Sequence, residues 1–324
     1  MTTKFKWEKL GLLFDPRTVI NREWLQLFAQ GPATVELEDR LRVYFSCRPK
    51  ADNQGQYVSY SAYVDFTKDH QFRQLGVAGQ PVLGLGEVGD FDEFGIYPIS
   101  VIKTEHEYLA YYGGWTRCES VPFNVAIGIA RSNDASHFER IGSGPVLSYS
   151  LDEPFILSGP KIRLFNGTFY LFYIAGREWV MVNDRPEPVY KIRSAESKDG
   201  IRWSKHNKDL ISDVLGEHEA QASPDVFFLN GRYHMFFCYR KSADYRLNKA
   251  NTYRIGYAWS DNLLDWQRDD DCAGLVPSDD GWDSDMVAYP HVFMLDQQIY
   301  MFYLGNEVGK CGFGLAKLTE VSSR

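Results

Sequence analysis

Three carboxylates recur at one offset in this chain. Glu93, Glu219 and Asp285 each lie five residues before a proline, at Pro98, Pro224 and Pro290. Asp92, Glu217 and Asp283 lie beside them, and Asp152 and Glu153 come slightly earlier before Pro160. Four arginines recur on the other side: Arg48, Arg117, Arg177 and Arg240 follow their prolines by 16, 19, 17 and 16 residues. Positioned carboxyl groups do general acid and base work. Guanidinium groups fork onto carboxylates and phosphates. If the fold gathers both sets at one place, two uses compete. The charges pair off and hold the fold together, or they bind and cleave an anionic substrate. Surplus charge of both signs is expensive to desolvate without a purpose. That favours the second use for the set as a whole and leaves individual pairs to the first.

The same prolines reveal the elements that must position these groups. Five phrases align on Pro32, Pro98, Pro160, Pro224 and Pro290, spaced by 66, 62, 64 and 66 residues. Each is a short apolar run, a polar turn and a Tyr/Phe-rich run, which reads as a β-hairpin headed by its proline. Asn166-Gly167 and Asn230-Gly231 are turn pairs that accept positive φ. A third and a fourth strand follow each of the first four hairpins. A Ser/Asp turn and then an aromatic residue (Phe72, Phe138, Trp203 or Trp266) lead into the fourth. The fifth hairpin is followed only by "GFGLAKL", and "FKWEKLGLLFDP" from Phe5 supplies the missing strand.

Repeats of this length mean a ring or an array. The expected fold is all-β: a five-bladed β-propeller of four-stranded antiparallel blades, the N-terminal strand completing the last. The blades fall near 31–83, 90–147, 152–211, 217–276 and 283–318 plus 5–14, in one domain. The competing arrangement is two stacked all-β domains. Residues 16–30 read as an irregular or helical lead-in. In a propeller the first strand lines the channel and the second returns antiparallel to it. The segments before the prolines and the arginines after the second strands therefore share one mouth. Tyr97, Trp115 and Trp179 lie in mouth-facing segments, as surfaces for a sugar ring or as packing between loops.

Composition narrows the partners. The net charge is −8 with no basic block, which argues against nucleic acid. No stretch of eighteen apolar residues occurs, so membrane insertion is not expected. The five cysteines, Cys47, Cys118, Cys238, Cys272 and Cys311, lack metal-ligand spacing. With no apolar leader, reduced thiols and a cytoplasmic location are the expectation, with no metal and no cofactor. Cys47 and Cys238 read as packing residues. Lys161, Asp225 and His291 each follow a blade proline and belong in or beside the channel, as a structural Lys–Asp pair or, less favoured, a cation site. His218, between Glu217 and Glu219, reads as a surface histidine.

The phrases "NGTFYLFYIAG", "ASPDVFFLNGRYHMFFCYR" and "RIGYAWSDNLLDW" resemble the five-bladed propeller glycosidases of families 43, 32, 62, 68 and 130. The ending "NEVGKCGFGLAKL" resembles the last blade of the family 130 mannoside phosphorylases and their hydrolytic relatives. The resemblance covers almost the whole chain and implies glycosidic chemistry on a sugar or oligosaccharide. Family 43 places carboxylates just before the first two blade prolines and two residues before the third. Here those positions hold Gly31, Tyr97 and Ser158. The expectation is therefore a different acid and base, drawn from Glu219, Asp285 and Glu93, with Asp92, Asp152 and Glu153 as local alternatives. Arg48, Arg117, Arg177 and Arg240 would hold a phosphate, a uronate or a nucleotide-sugar diphosphate. The rival functions are a cytoplasmic glycosyltransferase using an activated donor in polysaccharide assembly, and a non-catalytic sugar-binding propeller.

Overall fold

The computed structural model describes residues 3–323. Its strands form five four-stranded antiparallel sheets. The first blade is β2 (Leu27–Glu36), β3 (Leu41–Arg48), β4 (Tyr60–Phe66) and β5 (Gln74–Val77), preceded in sequence by β1 (Thr3–Phe14). The second is β6 (Gly95–Lys103), β7 (Tyr108–Arg117), β8 (Phe123–Ser132) and β9 (Glu139–Arg140). The third is β10 (Leu157–Phe165), β11 (Thr168–Val182), β12 (Arg185–Ser197) and β13 (Ser204–Lys205). The fourth is β14 (Glu219–Leu229), β15 (Arg232–Lys241), β16 (Arg254–Ser260) and β17 (Gln267–Arg268). The fifth is β18 (Ala288–Leu295), β19 (Gln298–Leu304) and β20 (Phe313–Ser323), with β1 as its outer strand. The inner strands β2, β6, β10, β14 and β18 neighbour one another in a closed circuit. This is the expected five-bladed propeller, closed by the N-terminal strand. The lead-in is a short 3-10 turn at Pro16–Thr18 followed by irregular structure.

The blade prolines sit inside the inner strands rather than at their heads. Each inner strand slips register around its proline, between Gln30/Ala33, Ile96/Ile99, Ser158/Lys161, Ala222/Asp225 and Ala288/His291. Such a bulge kinks the strand and re-aims a side chain. It also tolerates a residue with no N–H to give. The residues before four of the five prolines, Tyr97, Gly159, Ser223 and Tyr289, thereby line one mouth of the channel.

The Ser/Asp turns do the matching work at the outer edge. Ser132, Ser197 and Ser260 hydroxyls bond Asp134, Asp199 and Asn262 at 2.9, 3.0 and 3.1 Å. Thr67 and Asp69 do the same at 2.6 Å. Each acid or amide then accepts backbone N–H groups two or three residues on, as an Asx turn does. These turns bind the preceding blade. Tyr44 Oη donates to Ala135 O at 2.5 Å, Tyr111 Oη donates to Gly200 O at 2.8 Å, and Tyr300 Oη lies 3.0 Å from His70 Nδ1.

Charged groups lock the channel. Thr34 N–H donates to His291 Nε2 at 2.9 Å, so a neutral imidazole carries its proton on Nδ1, 2.8 Å from Asp225 Oδ2. Lys161 Nζ donates to Pro32 O at 2.7 Å and lies 3.2 Å from His291 Nδ1, and Arg163 pairs with Asp225. Four blades thus meet in one buried network, in which the expected Lys–Asp pair is not made directly among the described residues: Asp225 takes Arg163 and His291, and Lys161 takes the Pro32 carbonyl. Burial pulls the Lys161 amine down to about 8 and the His291 imidazole down to about 4.

Candidate functional site

A funnel of about 1160 Å³ opens at the mouth faced by the residues before the blade prolines. Of the candidate site residues named from sequence, Arg48, Arg117, Arg240, Tyr97, Trp115 and Asp285 line it. Glu219, Glu93, Asp92, Asp152, Glu153, Arg177 and Trp179 lie outside it, and their partners explain why.

Blades two to five each carry an acid at or just before the start of the inner strand and a base on the outermost strand. Asp92 takes Arg140 at 2.8 Å and the Tyr112 hydroxyl at 2.9 Å. Glu153 takes Arg193 at 3.2 Å, Lys205 at 2.5 Å and the Tyr173 hydroxyl at 2.8 Å. Glu219 takes Arg268 at 2.6 Å and the N–H groups of Val214 and Leu215, both at 2.8 Å. Asp283 takes Lys9 at 2.7 Å and the Tyr303 hydroxyl at 3.1 Å. All four carboxylates are buried. Burial alone would raise the Glu219 carboxyl, but Arg268, the Val214 amide and the Gln221 side chain outweigh it and hold it below its ordinary value. These acids staple the inner edge of a blade to its outer strand. The first blade has no acid here; its Gln30 donates to Val308 O at 2.6 Å.

The remaining outliers are local. Glu93 accepts the Gly89 N–H at 2.9 Å within its own loop. The Asp152 side chain is exposed. Arg177 does not end its strand, because β11 runs on to Val182 as a long arm. A register shift between Gly176 and Glu178 interrupts the alternation there, and Arg177 pairs with Asp209. Trp179 packs against Phe123 and Phe155, with ring centres 5.6 and 6.0 Å away. His218 pairs with Glu178 at 2.9 Å.

Seven cationic side chains and four carboxylates line the funnel, although the whole protein carries −8. Lys249 pairs with Asp285, and Lys310 lies 2.6 Å from Glu307. Arg185 and Arg246 share Glu187 at 3.2 and 2.9 Å. Arg117 lies over Phe94 and 3.8 Å from Asp52. Among the described residues, no carboxylate pairs with Arg48 or Arg240. Arg48 donates to Ser59 Oγ at 3.1 Å and sits 4.8 to 5.6 Å from the ring centres of Phe28, Tyr57 and Tyr97. Burial pulls its guanidinium below the ordinary value, yet arginine stays charged at neutral pH. Arg240 is 1% exposed and lies 3.7 Å above Tyr245, flanked by Tyr190 and Tyr253. Among the described residues its Nε has no hydrogen-bond partner.

Phenols join the two arginines across the floor. Tyr97 Oη donates to Tyr289 Oη at 2.9 Å, and Tyr190 and Tyr253 hydroxyls meet at 2.8 Å. Trp115 Nε1 donates to Tyr97 O at 2.7 Å and its ring tilts against Tyr97. Sequence reasoning did not find Tyr190, Tyr245, Tyr253, Tyr289, Glu187, Arg185 or Arg246. The one usable signal was the Asn183-Asp184 turn, which with φ of 50° and 59° ends the arm carrying Arg185 and Glu187. Tyr245 and Arg246 lie in a loop with no periodicity. Among the described residues no group of His, Cys, Asp and Glu is arranged to hold a metal ion.

No protein-family model matches the sequence. An uncharacterized protein of Mycobacterium tuberculosis (strain CDC 1551 / Oshkosh) is 34% identical over 313 residues, covering 96% of this chain and 99% of that one. A β-1,2-mannobiose phosphorylase of Thermoanaerobacter sp. (strain X514) is 26% identical over 141 residues, 40% of this chain and 44% of that one. Among solved structures, a glycoside hydrolase has a TM-score of 0.72 at 15% identity, covering 99% of this chain and 94% of that one. The β-1,2-mannobiose phosphorylase of Listeria innocua in complex with β-1,2-mannobiose has a TM-score of 0.69 at 14% identity, covering 98% and 96%. The chain therefore belongs to the family of the uncharacterized mycobacterial protein, and its fold is the five-bladed propeller of the glycoside hydrolases and family 130 mannoside phosphorylases.

Proposed function

We propose that the protein is a carbohydrate-active enzyme that cleaves or transfers a glycosidic bond on a substrate, or with a co-substrate, bearing an anionic group. The observation that carries the reading is the pair Arg48 and Arg240. Arg240 is buried and Arg48 half-buried, neither with a carboxylate partner among the described residues, and an unpaired charge withdrawn from water is costly unless a ligand meets it. Aromatic walls suit the faces of sugar rings. The similarity to mannoside phosphorylases and glycoside hydrolases supports the carbohydrate class.

Carboxylate-pair hydrolysis places two carboxyls roughly 5–9.5 Å apart about the scissile bond. The residues before the blade prolines supply none. Of the three expected catalytic carboxylates, Asp285 alone lines the funnel, and acid–base chemistry by a carboxylate of that set rests on it. The same shortage favours a second reading, transfer from an activated sugar donor.

Calorimetry tests both. Inorganic phosphate, a sugar 1-phosphate and a nucleotide sugar are titrated into wild type, Arg48→Met and Arg240→Leu. We expect at least one anion to bind, and either substitution to weaken it at least tenfold, the loss of a charge-assisted bond. Preference for the nucleotide sugar selects the transferase. Neutral oligosaccharides binding equally to all three proteins would overturn the anionic assignment.

A further inference from the structure

Of the residues just before the blade prolines, Tyr97, Gly159, Ser223 and Tyr289 line the funnel, and all of the five but Tyr97 hold a left-handed backbone. Gly31 has φ 61°, Gly159 62°, Ser223 50° and Tyr289 51°. Glycine adopts this conformation freely. For a bulky residue it is an outlier. Strain of this kind gathers at functional sites, held by the surrounding structure. Blade five nevertheless places a tyrosine there.

What the strain secures is the position of a hydroxyl. Tyr289 lines the funnel, and its oxygen accepts the Tyr97 O–H at 2.9 Å. Its own proton meets no acceptor among the described residues. Burial raises the Tyr97 phenol to about 12 and Tyr289 well above its ordinary value, so both are protonated at neutral pH. The Arg48 charge acts on both. The four funnel carboxylates stand on surrounding segments, and none directly precedes a blade proline.

Building on the reading of the funnel as a glycosyl site, we infer that the Tyr289 phenol is the proton-transfer group of the floor, with Tyr97 as its positioning residue. In the step, the bond from the anomeric carbon to the leaving oxygen breaks, its electron pair stays on that oxygen, and the oxygen takes the Tyr289 proton. A protonated oxygen nucleophile (water, hydrogen phosphate or a sugar hydroxyl) forms the new bond to the anomeric carbon and returns its proton to Tyr289. The transient phenolate is held by the Tyr97 O–H and the Arg48 charge.

The test compares wild type, Tyr289→Phe, Tyr97→Phe and Asp285→Asn as full-length proteins. The probes are a panel of disaccharides, β-1,2-mannobiose among them, and the matching p-nitrophenyl glycosides, all with inorganic phosphate. A sugar leaving group needs the proton and p-nitrophenolate does not. We expect Tyr289→Phe to lower kcat on the disaccharide by at least 100-fold, within the range of general acid catalysis, and on the nitrophenyl glycoside by less than tenfold. Tyr97→Phe should show the same split more weakly, with unchanged melting temperatures. Equal losses on both leaving groups, no loss, or a leaving-group split in Asp285→Asn alone would overturn the inference. So would a funnel that binds glycosides and turns none over, which leaves the carbohydrate reading standing. If no glycoside or sugar phosphate binds at all, that reading fails first and the inference with it.

Discussion

At the scale of single residues, the carboxylates divide by what meets them. Glu219 is fully buried against Arg268, whose side chain is 3% exposed. Removing one member of a buried pair strands the other and costs about 3–5 kcal/mol. Glu219→Ala should therefore lower stability by several kcal/mol in urea unfolding, a structural failure rather than a selective loss of turnover. A variant that melts like wild type would refute the staple. The spacing of Glu93, Glu219 and Asp285 pointed to one role for all three, and the structure gives them three different surroundings. The information needed was the partner on the outer strand: Arg140, Lys205, Arg268 and Lys9. In the sequence those bases look like ordinary solvent-facing strand residues. Arg48 and Arg240 were legible as mouth residues because they close strands of regular length. Their lack of an acid partner could be seen only in three dimensions.

At the scale of elements, the repeated phrase carried its own geometry. Prolines marked inner strands, Asn-Gly pairs marked hairpins, and Ser/Asp turns marked the step to the outer strand. Each is a local backbone requirement, so one sequence was enough to read it. The arm formed by β11 and β12 was missed, because its extra length breaks the repeat. Gly200 shows how tightly a turn is fitted: its φ is +74°, and a Cβ there would lie 2.8 Å from Tyr111 Oη. Gly200→Ala should cost about 2 kcal/mol, from left-handed strain and the displaced inter-blade hydrogen bond. Thermal unfolding checks this, and Tyr111→Phe in the same background should cost less than it does alone. The two losses overlap because both remove one contact.

At the scale of the whole molecule, the channel network makes stability depend on acid. An unfolded histidine takes a proton near 6.5, whereas burial, reinforced by Lys161 and opposed by Asp225, lets His291 take one only near 4. Between those values the unfolded state holds more protons, so stability falls as pH drops from 6.5 towards 4. From pH 7 to pH 5 the His291 share of the loss is about 2 kcal/mol. His234, also lowered by burial, adds in the same direction. Urea titrations should show the loss, and His291→Gln should shrink it while lowering stability at pH 7. An unchanged slope would mean that the histidine is not held neutral.

The pairing of β1 with β20 has a consequence for how the ring is made. A strand that precedes all five inner strands in sequence is hydrogen-bonded to one that follows them all, from Thr3 opposite Ser323 to Phe14 opposite Phe313. Four blades can assemble as they leave the ribosome, but β1 must wait with an unpaired edge until β20 has been made. Its half-open leucines, Leu10 and Leu12, are then a sticky ribbon in search of a mate. Chaperone demand during synthesis, and misjoining of two half-made rings when nascent proteins are crowded, should be concentrated at that clasp.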